Sequence, residues 1–294
     1  MPLVTAGNQT DDPDDGSVIA ASEVAMETDV RMALDAGMFR IHWQPIVACG
    51  SGELRGFEAL IRWNRPGFGP VSPAVFVPLI ERLGLFRKFD TWVLRQACEA
   101  AYHWPAHLRA AVNVSACWFE GPGLTAAIAA VLEESKLDPS RLEIEVSEAV
   151  VIASKHFAAV ELSRIKTLGV RLSLDDFGTG YASLGYLQDM PFDKLKVDQS
   201  FVRRLGECRR TEEIVRAVLQ LGFGLGMIVC AEGVERPDQL AILQTYGCDE
   251  VQGYLIGYPE RSLPDILEFY DRLDESLMFT TPTSWPCAQR LSLA

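Results

Sequence analysis

Past about residue 25 the chain changes period again and again, and no other feature limits its fold so strongly. Stretches rich in β-branched and aromatic residues give way to stretches with apolar residues at helical spacing. FRIHWQPIVA (39–48) and LRGFEALIRW (54–63) read as strands, and SPAVFVPLIERLG (72–84) and FRKFDTWVLRQACEAAYHW (86–104) read as helices. Strand and helix then alternate in pairs: RAAVNVSA with GLTAAIAAVLEESK, RLEIEVSE with HFAAVELSRIKTLG, and RLSLDDF with a short helix around SLGYLQDM. KLKVDQSF is followed by TEEIVRAVLQLGFGLG, MIVCAEGVE by RPDQLAILQTYG, and EVQGYLIG by LPDILEFYDRLDESLM (263–278). The helices are long enough for βαβ crossovers. About eight strands over roughly 250 residues fit a closed (β/α)8 barrel in one domain. A doubly wound open sheet is the second choice.

The domain organisation expected is an acidic, flexible segment at residues 1–27, a barrel at 28–278 and a tail at 279–294 without periodicity. The formal net charge is −13, and Asp11 to Asp29 hold seven acids and no base. With no basic stripe to displace counterions, duplex nucleic acid is excluded as a partner. A small anionic ligand would need metal ions or a few placed cations to receive it. No apolar run approaches the roughly 18 residues of a membrane span, and no signal-peptide pattern opens the chain. Seven scattered cysteines without C-x-x-C spacing read as reduced thiols, so a cytoplasmic location is expected.

Polar residues recur at or near the C-terminal ends of the expected strands: Glu58, Asn113, Glu145 with Glu148, Asp175 with Asp176, Lys196 with Asp198, Glu232 with Glu235, and Gln252. One acid at a strand end is ordinarily a helix cap or a solvated loop residue. In a barrel, however, all these ends converge on one face. So many carboxylates together raise one another's pKa, and divalent cations relieve the repulsion. Oxygen ligands with one amide, and no thiolate or imidazole, suit Mg2+ or Mn2+. Asp175 can then bridge two metals while Asp176 binds the second. Lys196 could equally form a salt bridge to Asp198, and Glu235 could cap the helix that begins at RPDQL. The glycines of GFGLG (222–226) follow a helix and read as a helix stop.

The motifs EALIRW (58–63), VNVS (112–115), EVSE (145–148), DDFGTGYASL (175–184), LKVDQSF (195–201), AEGVE (231–235) and QGY (252–254), in this order, resemble the EAL-domain family of bacterial cyclic di-GMP phosphodiesterases. The resemblance covers about residues 28 to 275. It implies a modified TIM-type (β/α)8 barrel with one antiparallel strand, and metal-dependent hydrolysis of cyclic di-GMP to linear pGpG with two Mg2+ or Mn2+ and inhibition by Ca2+. Glu58, Asn113, Glu145 and Asp175 are expected to hold the first metal, and Asp175 with Asp176 the second. Lys196 is expected to touch the nucleophilic water, and Glu232 to act as general base. Arg62, Gln44, Gln252 and Asp198 are expected on the substrate side. Glu148 is expected to anchor the loop after Asp176, with Glu235 as a further anchor. A homodimer and a fused or associated GGDEF or sensory module are also implied.

The chain departs from the family pattern at Ala182 in YASL, at Arg65 where histidine is frequent, and at Tyr258 where a basic or small residue is usual. None of these removes an expected ligand. The rival reading is a catalytically silent cyclic di-GMP receptor, which would usually lack one or more ligands.

Overall fold

The computed structural model describes residues 14–178 and 185–261. The helix expected at 263–278, the tail at 279–294, the first thirteen residues and residues 179–184 of the DDFGTGYASL motif lie outside the described residues. The acidic lead-in, expected to be poorly ordered, is helical from Asp14: α1 spans Asp14–Asp35. Its last turns are tied to the barrel by ion pairs, Asp29 to Arg65 (2.6 Å) and Glu27 to Arg82 (3.0 Å).

The strands β1 (Phe39–Ala48) and β2 (Leu54–Arg65) form a long antiparallel hairpin. β3 (Gly69–Val71) then adds to the outer end of β2. Two helices follow, α2 (Pro73–Arg82) and α3 (Phe86–Tyr102). Ser72 caps α2 by accepting the Ala74 amide, and Pro73 occupies the first helical position, where a missing amide costs nothing. After β4 (Arg109–Asn113) come α4 (Leu124–Ser135), β5 (Leu142–Ser147), α5 (Glu148–Ala153), α6 (Lys155–Thr167) and β6 (Arg171–Phe177). The remaining elements are α7 (Tyr186–Asp189), β7 (Lys194–Val197), α8 (Gln199–Val202), α9 (Arg209–Gly224), β8 (Ile228–Ala231), α10 (Pro237–Thr245) and β9 (Glu250–Gln252). α9 stops as its glycines predict, with Gly226 in the left-handed region at φ 73°.

The strand order β1-β9-β8-β7-β6-β5-β4-β2 closes on itself through the β1–β2 pairing, with β3 outside the ring. β1 runs antiparallel to both its neighbours and the other seven pair in parallel, which is the expected modified (β/α)8 barrel. Outward strand residues such as Phe57, Ile144, Leu172 and Leu195 are fully buried with Leu94, Ile128, Leu162 and Val215 of the surrounding helices in one apolar core. That shell is where burial stabilises the fold.

The barrel interior is layered by the two-residue period of its strands. At one end Lys194 contacts Glu143 (2.6 Å) and Glu250 (2.8 Å), and Arg109 bonds to Glu250. A thin apolar layer of Ile46, Ala111 and Cys230 comes next. Two residues further along the strands lies a second charged layer around Lys196.

Candidate active site

Lys196, penultimate on β7 and 1% exposed, organises the C-terminal rim of the barrel. Its Nζ lies 2.6 Å from Glu232 Oε1, 2.9 Å from Glu145 Oε1, 3.5 Å from Asp175 Oδ1 and 3.6 Å from Glu58 Oε2. One cation thus faces four carboxylates brought from β2, β5, β6 and the loop after β8. Amides join the ring: Asn113 Nδ2 donates to Glu58 Oε1 (2.7 Å) and Glu145 Oε2 (3.1 Å). Gln252 Nε2 donates to Glu58 Oε2 (2.6 Å) and Gln44 Oε1 (3.0 Å). Glu58 also pairs in register with Gln44 across the hairpin, which puts both on the inner face.

Asp176 is forced into place by strain. It has a positive φ of 57°, a conformation that costs a non-glycine residue energy and is found where a site over-determines it. Its amide donates to Asp175 Oδ1 (2.9 Å). The turn sets one oxygen of each of Asp175, Asp176 and Glu232 within 4.8 Å of one another, a spacing that fits a shared cation.

The charges are unbalanced as they stand. Burial, Asp175 and other acids around it push Glu232 up to about 8 despite Lys196. Burial and the adjacent Asp175 raise Asp176 to about 6. Glu145 is raised well above the carboxylate range by burial and by Glu58. Burial works against ionising Glu58 too, but Lys196 and three hydrogen bonds outweigh it and lower its pKa. Lys196 is desolvated, yet the acids around it hold its pKa well above the ordinary lysine value. A ring in which several acids resist ionising is one that a divalent cation would stabilise.

The EAL-domain profile matches residues 27–259, most of the chain and all of the barrel described above. The chain belongs to the EAL-domain family. It is 41% identical over 246 residues to the cyclic di-GMP phosphodiesterase NbdA of Pseudomonas aeruginosa, covering 82% of this chain and 31% of NbdA. It is 40% identical over 233 residues to the cyclic di-GMP phosphodiesterase PA2567 of the same species, covering 78% of this chain and 39% of that protein. Among solved structures, the PaMucR phosphodiesterase in complex with c-di-GMP superposes with a TM-score of 0.77 at 37% identity, covering 80% of this chain and 97% of that one. The chain spans about a third of the length of the curated relatives it matches.

Of the residues singled out in the sequence, this EAL domain brings Glu58, Asn113, Glu145, Asp175, Lys196, Glu232 and Gln252 into one connected cluster, with Asp176 and Gln44 at its edge. Glu58 is not near the end of its strand: β2 continues to Arg65, because the hairpin with β1 and the extra pairing to β3 prolong it. Arg62 lines a cleft of about 250 Å3 that opens onto Glu58, Asp175 and Glu232 of the ring, together with Gln44, Gln252, Glu235 and Arg203. Lys196 makes none of its ion pairs to Asp198; that carboxylate instead accepts the Ser200 amide (2.9 Å) and caps α8.

Glu235 does not cap α10. Gln239 Oε1 reaches back to the Glu235 and Arg236 amides (2.9 Å each), and the Glu235 carboxylate sits at the cleft rim 3.7 Å from Arg203. Glu148, fully buried, accepts from the Gly178 amide (3.0 Å) and from the Tyr186 hydroxyl (2.9 Å), so it grips the chain on both sides of the loop after β6.

Sequence reasoning missed Asp90 on α3. It is 3% exposed and accepts from the Ser115 amide, the Ser115 hydroxyl and Trp118 Nε1, which fixes the turn following Asn113. Nothing local marks Asp90 as special, since it sits in an ordinary amphipathic helix. The opposite charged layer was also missed, although E-x-E in LEIEVS and K-x-K in KLKV place both members of each pair on one strand face.

Proposed function

We propose that this EAL domain hydrolyses cyclic di-GMP to linear pGpG with two divalent cations, Mg2+ or Mn2+, held on the acid ring, and that Ca2+ inhibits it. The convergence of four carboxylates from separate elements on the one buried Lys196 Nζ carries the reading. Glu58, Asn113, Glu145 and Asp175 would hold the first cation, and Asp175 and Asp176 the second. The donor chemistry is all oxygen and suits hard cations. Bound there, such cations would supply Lewis acidity and an acidified water.

The chain's own groups account for the rest. Lys196 donates to the attacking water and restrains it beside the phosphorus. Glu232, which burial holds above the ordinary carboxylate range while no cation is bound, would accept the proton that this water loses once bound cations favour its ionised form. The water oxygen bonds to phosphorus, the P–O3′ bond breaks, and the 3′ oxygen takes up the proton that Glu232 accepted, passed to it through solvent. Arg62 pairs with the phosphate from the cleft wall, with Gln44 and Gln252 orienting Glu58 below it. The acid set is complete, which favours a hydrolase over a binding-only receptor. Because the relatives it matches are about three times as long, the domain would act alongside other modules, and it would do so as a homodimer.

The test is direct. The purified chain is mixed with cyclic di-GMP and Mg2+, Mn2+ or Ca2+ in parallel, and pGpG is followed by chromatography. Product with the first two ions and none with Ca2+ is expected. Tight nucleotide binding with no product under any ion would establish the receptor instead.

A further inference from the structure

Asp90 is a buried carboxylate that the proposed chemistry leaves without a task. α3 anchors it firmly, because Phe89, Val93 and Leu94 around it are packed into the apolar core. It accepts from the Ser115 amide (2.9 Å), the Ser115 hydroxyl (3.1 Å) and Trp118 Nε1 (2.7 Å). Burial pushes its pKa up to about 6, and these donors pull it back only in part. The one charged neighbour that acts on it, Glu81, has the same sign. A buried acid without a basic partner costs stability, which directs attention to what it holds.

Asp90 grips the turn that leaves β4 directly after Asn113. Glu81 of α2 accepts the next amide, that of Ala116 (3.1 Å), and the Val114 amide donates to the Glu145 carbonyl (3.3 Å). Three consecutive amides are thus held by acceptors from β5, α3 and α2. The same turn borders a cavity of about 260 Å3, whose lining includes Asp90, Asn113, Ser115, Asp175 and Asp176. On that side empty space leaves the turn to its hydrogen bonds rather than to packing. Asn113 itself is exposed, and its amide is aimed by donating to Glu58 and Glu145. Those are the carboxylates that a cation in the ring would engage. Once they serve a cation, the aim of Asn113 rests on its main chain.

We propose that Asp90 is a positioning residue for the cation site. Its grip on Ser115 fixes where Asn113 points, and so governs how tightly the ring takes up its cation rather than how well the cleft takes the nucleotide. This rests on the cation reading above.

The experiment titrates Mn2+ by calorimetry, without nucleotide, into the full chain and into D90A, D90L, D90N and E161A. Glu161 is the control: it is 1% exposed and accepts from the Thr125 amide and hydroxyl (2.9 Å each), a similar grip at the start of α4, and none of its partners is a ring residue. In D90A and D90L, which offer no acceptor, the Mn2+ dissociation constant should rise at least about 10-fold. Should one of them fail to fold, the other decides. D90N can still accept from the Ser115 amide and Trp118 through its oxygen and should stay within about three-fold of the parent. In D90A and D90L at saturating Mn2+, kcat should return towards the parental value, and KM for cyclic di-GMP should stay within about three-fold. E161A should lose stability and keep the parental Mn2+ constant. Equal weakening in E161A would show general loosening and overturn the proposal. Parental Mn2+ binding in folded D90A or D90L would overturn it too, while leaving the cation reading intact. A parent chain that takes up no Mn2+ would sink the cation reading, and this proposal with it.

Discussion

Lys194 and Lys196 are two residues apart on β7, are each 1% exposed, and pair with two different buried carboxylate clusters inside one barrel. The first contacts Glu143 and Glu250 within 2.8 Å, and the second contacts Glu145 and Glu232 within 2.9 Å. The same strand period that points both lysines inward puts one in a structural layer and the other in the candidate active site.

Replacing either lysine by methionine should destabilise the chain by about 3–5 kcal/mol, because a buried acid cluster loses its cation. Their effects on turnover should separate. K194M, assayed where it is folded, should keep KM and kcat within a few-fold, whereas K196M should lose at least about 100-fold in kcat. Urea denaturation with a pGpG assay checks both. Equal loss of turnover in the two would refute the division into layers.

Asp175→Asn keeps the shape of the site and removes a charge from the proposed pair of cation ligands. Activity should fall by at least roughly 100-fold with circular dichroism unchanged. A folded D175N enzyme that turns over at the parental rate would contradict the ligand assignment.

Glu148 holds the Gly178 amide and the Tyr186 hydroxyl at once. In E148A both donors lose that acceptor and Asp176, two residues before Gly178, loses its support. A drop of about 10- to 100-fold in kcat is expected, with the apparent affinity for Mg2+ weakened in parallel. Unchanged kcat and unchanged Mg2+ dependence would rule out the anchoring role.

Stability should depend on pH in a way that the cation reverses. Glu232 is raised from 4.5 to about 8, and Asp176 from 3.8 to about 6, in both cases chiefly by burial. Between these limits the folded chain retains protons that the unfolded chain has released. Without divalent cation, stability contributed by these groups is therefore lost as pH rises from about 4 to about 8. Cation binding favours the ionised acids and should flatten or invert that trend. Thermal melts across this range in EDTA and in Mg2+ provide the check, and parallel curves would argue against cation binding at these acids.

Asp90→Ala leaves three donors, from Ser115 and Trp118, without their shared acceptor. A loss of about 1–3 kcal/mol in chemical denaturation is expected. A variant as stable as the parent would show that the turn after Asn113 does not depend on this carboxylate.

Much of this molecule was legible in one dimension. The period of the strands and helices, the turn glycines and the spacing of polar residues along seven motifs follow from local rules. They were enough to expect the barrel and to name Glu58, Asn113, Glu145, Asp175, Lys196, Glu232 and Gln252 together. The ion pairs of the lead-in helix were not legible, because Asp29 and Glu27 find their partners, Arg65 and Arg82, about 36 and 55 positions away. Local composition showed only acids without bases.

What the sequence determined by itself was which side chains share a strand face, since a residue and its second neighbour must point the same way. Which of those side chains meet, and in what company, was decided only when β1 and β9 closed the ring. Closure placed Lys196 among four acids rather than beside Asp198, and gave Lys194 to a separate cluster. It also set Glu235 against Arg203 and laid Tyr254 on Tyr258. Such pairings depend on distances across a closed barrel, and strand spacing along the chain carries no information about them.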